Sequence, residues 1–242
     1  MTDPQTDLSP EELLYLCPTH YIDSDSREIH AFANVALAGM DPEASKTEIA
    51  IRLFEAVRDR LRYDPYTFAL DAPSYRASVI ADMDAAFCVP KAILLTACLR
   101  AAGIPAAVGF ADVKNHLNTP KLAELMGTDL FIYHGYVQLW LDGQSYKVTP
   151  AFNMELCQRF GVKPLVFDGH HDALFHDFDH KGRRHMEYVN DRGIFADPPI
   201  EEFLRAFRKT YPKLEKFNEE LIAGKGSIID PAFTGDNQRA SE

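Results

Sequence analysis

Apolar residues recur at helical spacing over residues 45–61, and at every second position along the stretch around His134. In the first part, Ile49, Leu53, Phe54, Val57 and Leu61 line one helical face, with Arg52, Glu55, Arg58 and Asp59 on the other. Ser45 and Glu48 form a capping-box signature before this run, which predicts a helix ending near Tyr63-Asp64-Pro65. Ser9-Pro10-Glu11-Glu12 is another such box with Pro at the first helical position, so a short helix is expected up to Cys17-Pro18. A further helix is expected after Asp25, with Glu28 in its first turn and Gly39 at its end.

Residues 88–102 are apolar around most of a helical circumference, which predicts a helix inside the fold rather than on it. Pro90 suits its first turn and Gly103 its C-terminal stop. Strands are expected at 106–113, 131–141 and 144–149, with Asp142-Gly143 as a two-residue hairpin turn. Residues 64–86 read as irregular, 165–200 as a loop-rich stretch with strand-like pieces at 186–189, and 199–210 as a last helix. No internal repeat or long linker interrupts the chain. Helices come first and an antiparallel sheet follows, so the fold class expected is α+β. One domain over 1–230 is expected, with a loose tail over 231–242.

Charge narrows the possible partners. With 25 Lys and Arg against 36 Asp and Glu, the formal charge is −11, and the one basic run, Lys181-Gly182-Arg183-Arg184, has acids around it. A nucleic-acid partner is therefore not expected, because a phosphate grip needs clustered cations. No apolar stretch reaches the roughly 20 residues that span a bilayer, so no membrane partner is expected either. Met1-Thr2-Asp3-Pro4-Gln5 carries no basic and apolar leader pattern, which makes the cytoplasm the expected compartment. The four cysteines, Cys17, Cys88, Cys98 and Cys157, are sparse and form no CxxC pair, so thiols are expected rather than disulfides. No glycine-rich phosphate cradle is present, and no cofactor is expected.

Candidate chemistry gathers around one cysteine. Cys88 stands at the start of the apolar helix, where unpaired backbone N–H groups and the helix dipole favour thiolate over thiol and could hold an oxyanion. His134 lies 46 residues on, on a strand whose alternation groups it with Ile132, Tyr136, Gln138 and Trp140. With Asp142-Gly143 as the turn, Leu141 faces Gln144, Tyr136 faces Thr149, and His134 faces Ala151. Thr149 is then diagonal to His134, roughly 7 Å away at Cα. A cysteine, a histidine and an orienting group in this layout are what thiol acyl transfer requires.

These segments resemble the transglutaminase-like superfamily over roughly residues 46–155. The run from Phe87-Cys88 through Arg100-Ala101-Ala102-Gly103-Ile104-Pro105 is similar to its nucleophile helix. Tyr133-His134-Gly135-Tyr136-Val137-Gln138-Leu139-Trp140 is similar to its histidine strand, and Tyr146-Lys147-Val148-Thr149-Pro150 to the strand bearing its third member. The resemblance implies a papain-like layout, with Cys88 as nucleophile, His134 as base, Thr149 as third member, and a peptide or protein as substrate. The acidic chain gives no reason to prefer an amine acceptor, so hydrolysis of a peptide or carboxamide bond is expected ahead of transfer to an amine. Two positions depart from the family: Ala86 stands where it usually has Gly, and Thr149 where it has an Asp before Pro. A hydroxyl can accept a hydrogen bond from imidazole but does not stabilise imidazolium as a carboxylate does. Asn153 is therefore the fallback orienter, and a catalytically degenerate module that binds a peptide or partner is the alternative.

The remaining features take plainer readings. Cys17, Cys98 and Cys157 are expected to be structural thiols, and Tyr136 and Trp140 core or cleft walls. His170, His171, His176, His180 and His185 are interleaved with Asp168, Asp172, Asp177 and Asp179, which raises a metal site as an idea. Without H-E-x-x-H or a rigid ligand face, hydrogen-bonded loops are the expectation and no metal is assigned.

Overall fold

The computed structural model describes residues 9–115, 118–174, 186–222 and 230–234. Helices α1 (Pro10–Leu14), α2 (Arg27–Ala36) and α3 (Lys46–Arg60) come first. Then follow β1 (Arg62–Tyr63), a 3-10 turn at Ala72–Tyr75, α4 (Ala77–Ile80), β2 (Ala85–Ala86) and α5 (Cys88–Ala101). The sheet region carries β3 (Ala106–Asn115), α6 (Pro120–Met126), β4 (Leu130–Leu141), β5 (Gln144–Val148), α7 (Met154–Phe160) and β6 (Met186–Phe195). Helices α8 (Ile200–Thr210), α9 (Pro212–Ile222) and α10 (Pro231–Thr234) complete the described chain. This is an α+β fold built on a four-stranded antiparallel sheet, ordered β5-β4-β3-β6.

Helix α5 is the centre, as its all-round apolar pattern predicts: every residue from Cys88 to Arg100 is buried. It packs on β3 and β4 and is covered by α2, α3 and α4. Burying each Leu, Ile or Val along it contributes about 1.5–3 kcal/mol. Its one buried lysine is not stranded. Lys91 Nζ donates to the carbonyls of Arg58 and Leu61, the open C-terminal end of α3, where a helix leaves acceptors and favours a cation. Burial pulls the Lys91 ammonium down to about 7, with Asp59 pulling the other way.

Local signals account for the early helices. Ser45 and Glu48 bond reciprocally at the start of α3, as do Ser9 and Glu12 at α1. The N-cap of α2 is Ser26, which accepts the Ile29 N–H, and that helix ends at Ala36 rather than at Gly39. The hairpin register is the expected one: Leu141 faces Gln144 and Val137 faces Val148. Asp142 (φ 50°) and Gly143 (φ 77°) both take the left-handed values of a type I′ turn.

Elsewhere the structure is more regular than the sequence pattern. Residues 64–86, read as irregular, hold the 3-10 turn and α4, and β2 pairs in parallel with β1. Strand β6 is one ten-residue element rather than short pieces, and α6, α7 and α9 were not foreseen. The first two are seven residues each, too short for periodicity to register. Of the tail expected to be loose, Pro231–Thr234 are helical and Phe233 is buried beside Tyr63, Tyr66 and Phe160; 235–242 lie outside the described residues. Among the described residues no helix is long and apolar enough to cross a membrane.

Candidate functional site

Cys88 is the first residue of α5, and Phe87 before it supplies no side-chain cap. The backbone N–H groups of Gly135 and Val89 donate toward the sulfur, which favours thiolate. Burial opposes them and wins, pushing the thiol up to about 11. Burial thus works against the thiolate that the helix start favours. A helix end stabilises charge by about 1 kcal/mol, whereas removing an anion from water costs more.

His134 is buried on β4, and it lines the same cavity as Cys88. That cavity is about 40 Å³, room for two or three waters. Its other walls are mainly apolar: Phe87, Val113, Phe131 and Met186, with Leu122 and Met126 from α6 and Phe207 and Leu214 from α8 and α9. Tyr211 ties the roof to the sheet, its hydroxyl accepting the Ile132 N–H at 2.7 Å and donating to the Leu130 carbonyl at 2.8 Å.

Thr149 sits just past the β5 ladder, where the hairpin register leads, with its N–H donating to the Ala173 carbonyl. Its side chain is buried, and among the described residues its Oγ1 has no hydrogen-bond partner, His134 included. Asn153, the fallback, is also buried, but its Oδ1 accepts the Tyr63 N–H at 3.1 Å and so secures a cavity wall. The fold thus brings Cys88 and His134 to one cavity, and leaves the Thr149 hydroxyl without a hydrogen bond among the described residues.

Gly135, between His134 and Tyr136, was overlooked in the sequence. A Cβ there would sit 2.9 Å from Val89 Cα and 3.0 Å from the Cys88 carbonyl oxygen. The bare backbone lets β4 lie against the start of α5, and a glycine inside an alternating strand was the available signal. Of the other thiols, Cys98 and Cys157 are buried as expected of structural residues, while Cys17 is exposed. Tyr136 is core, and Trp140 is partly buried and stacks on Tyr15.

The His and Asp segment is described only in part. Asp168 accepts the N–H groups of His170 and His171 and meets His171 Nδ1 at 2.8 Å, which holds its carboxyl down at about 2. Asp172 accepts the Lys147 N–H. His176, Asp177, Asp179, His180 and His185 lie outside the described residues. Among the described ones, no group of three His, Cys, Asp or Glu could hold a metal.

Comparison with known proteins follows the same lines. A family model described as the transglutaminase-like superfamily matches residues 25–149, slightly more than half of the chain. No curated protein matches. A solved structure from Cytophaga hutchinsonii, named as a candidate cysteine protease, is 16% identical with a TM-score of 0.48, covering 81% of this chain and 50% of that one. Another, from Parabacteroides distasonis and named as a candidate protease, is 19% identical with a TM-score of 0.35, covering 57% of this chain and 26% of that one. The chain spans half the length of the first and about a quarter of the second.

Proposed function

The chain belongs to the transglutaminase-like superfamily, and on that premise we propose that it carries out thiol-dependent acyl transfer, hydrolysing a peptide or carboxamide bond. The observation that carries this is the shared cavity of Cys88 and His134. Cys88 Sγ attacks the carbonyl carbon while His134 takes the thiol proton. The tetrahedral oxyanion would draw on N–H groups at the start of α5. As the C–N bond breaks, the imidazolium returns its proton to the leaving amine, and a thioester remains. Water then attacks the thioester with His134 as base, which releases a carboxylate and restores the thiol. Thr149 holds the third position by register, without a bond to the imidazole in the resting state. A thiol raised to about 11 is neutral at rest, so the proton moves to His134 during attack rather than before it. The four free thiols support a reducing, cytoplasmic setting and a peptide or protein substrate is the natural partner.

Two observations favour a second reading, a degenerate module that binds a peptide or partner without chemistry: the small, mainly apolar cavity and the Thr149 hydroxyl, unbonded among the described residues. Alkylation separates the two. Iodoacetamide labelling of Cys88, located by mass spectrometry from pH 6 to 11, should be about 10²-fold slower at pH 7 in His134→Ala than in the wild type. If the variant labels like the wild type and both simply follow a thiol titrating near 11, the binding module is the better account.

A further inference from the structure

The histidine strand is not a regular strand where it matters. Ala111 faces His134 but Val113 faces Phe131, so both Ile132 and Tyr133 stand opposite Asp112. Strand β4 therefore carries a bulge, and Tyr133 takes it up with φ 56°, a backbone setting that bulky residues rarely adopt. Something must hold it there, and three contacts do. Asp112 Oδ1 accepts the Tyr133 N–H at 3.1 Å. Arg192, reaching across from β6, donates to both oxygens of the same carboxylate, Nε at 2.6 Å and Nη2 at 2.9 Å, and its guanidinium lies 4.1 Å from the centre of the Tyr133 ring. The Tyr133 hydroxyl donates to Glu202 on α8 at 2.9 Å.

Tyr133 is thus gripped at its amide, its ring and its hydroxyl. The next residue is His134, and the one after is Gly135, whose bare Cα lies against Val89 and the Cys88 carbonyl at the start of α5. Asp112 is buried and Arg192 partly so. A paired charge at such a place is weak support for stability in itself, because desolvation offsets most of the attraction. Its bidentate fork, however, fixes direction as few contacts can.

We propose that Asp112 and Arg192 are positioning residues: they hold the bulge at Tyr133 so that His134 faces the cavity and Gly135 lies against Cys88 at the start of α5. The proposal rests on the Cys88–His134 reading and gives that site the rigid support that Thr149 does not supply. It involves no new chemical step. Neither residue lines the cavity, so both act only through the 133–135 backbone.

The test uses the His134-dependent part of Cys88 labelling, that is, the rate left after subtracting the rate of His134→Ala. Asp112→Asn keeps the shape of the side chain and an acceptor for the Tyr133 N–H but loses the charge that the fork requires. It should lower the His134-dependent rate at pH 7 about tenfold, and leave the rate above pH 11 unchanged, where the thiolate forms without help. Arg192→Gln should act alike, and Arg192→Lys should restore part of the loss. Wild-type pH profiles in Asp112→Asn and Arg192→Gln, whatever their melting temperatures, would overturn the proposal. If His134→Ala itself leaves wild-type labelling unaltered, the catalytic reading fails separately, and the Gly135 amide resonance decides the positioning. Asp112→Asn should then move that resonance about as far as Cys88→Ala does, and an unmoved resonance rejects the positioning role too.

Discussion

The two ends of α5 are built in opposite ways. At the C-terminal end hydrogen bonds tie the helix to its neighbours. Buried Arg100 donates Nε to the Ala106 carbonyl at 2.9 Å, Nη1 to Cys17 at 2.7 Å and Nη2 to Ala196 at 2.8 Å, joining the N-terminal segment, β3 and the end of β6. Gly103, with φ 72°, lets the chain turn, and the Ile104 N–H closes on the Leu99 carbonyl. At the N-terminal end there is no side-chain cap, the cysteine is held as a neutral thiol beside a small cavity, and the Thr149 hydroxyl nearby in the sheet lacks a partner. One end of the helix is fixed by hydrogen bonds; the other has, among the described residues, fewer such bonds. Such incompleteness is characteristic of sites rather than of scaffolds.

Breaking the finished end should have the largest effect. Arg100→Met keeps an unbranched apolar stem but strands one buried carbonyl, costing about 1–3 kcal/mol when unsatisfied, and two part-buried ones that cost less. We expect urea unfolding to show a loss of about 3–6 kcal/mol. A loss below about 1 kcal/mol would mean that water replaces the guanidinium and that the C-terminal end is no anchor. Labelling of Cys88 in the native fraction should change little, since the N-terminal end is fixed by β4 instead.

The open end should show itself in pH dependence. In the unfolded chain a cysteine loses its proton near 8.5, whereas burial holds Cys88, and likewise Cys157, at about 11. Below about pH 8 both states keep the proton and there is no slope. Between about 8.5 and 11 the folded chain binds more protons than the unfolded one, so stability falls as pH rises. For Cys88 the loss is on the order of 2–3 kcal/mol across that window. Chemical denaturation at pH 8 and 10.5 should therefore show a smaller alkaline loss in Cys88→Ala than in the wild type. Equal losses would place the Cys88 thiol nearer its ordinary value and make the N-terminal end wetter than the structure has it.

The contrast between the ends was only partly legible in the sequence. Helix α5 and its cysteine were readable because apolarity on all sides has one common cause, burial. The β4–β5 register was readable because Asp142-Gly143 pins a two-residue turn and every pairing follows by counting. What stayed hidden depends on distant partners. Arg192 meets Asp112 across 80 residues, and no local pattern announces the bulge at Tyr133 that they hold. The rise in the Cys88 thiol was hidden for the same reason. A helix start is a local feature that favours thiolate, while burial of the sulfur among residues distant in sequence, which opposes it, is tertiary. Asn153 shows the limit most plainly: its position beyond Thr149 suggested an orienter, and its partner turned out to be the Tyr63 backbone, 90 residues earlier.

The smallest effect expected concerns Thr149, and it is the one that separates position from role. Thr149→Val exchanges a hydroxyl for a methyl of similar shape in a buried setting. A hydroxyl that made a bond would be missed, and one that makes none is a cost, so removing it should be neutral or stabilise by about 0.5–1.5 kcal/mol in urea unfolding. The same variant bears on the chemistry. If His134 is set by the backbone of residues 133–135, the His134-dependent labelling of Cys88 should stay within about twofold of the wild type. If the Thr149 hydroxyl instead turns to the imidazole when a substrate or proton arrives, that labelling should drop at least about tenfold, as expected for loss of an orienting hydrogen bond to a base. A drop together with increased stability would show a hydroxyl kept unsatisfied at rest for use during turnover, which would make the incompleteness of this end functional in itself. No change in labelling would leave Thr149 as a packing residue where the family has an Asp, and the orientation of His134 would then depend on the strand that carries it.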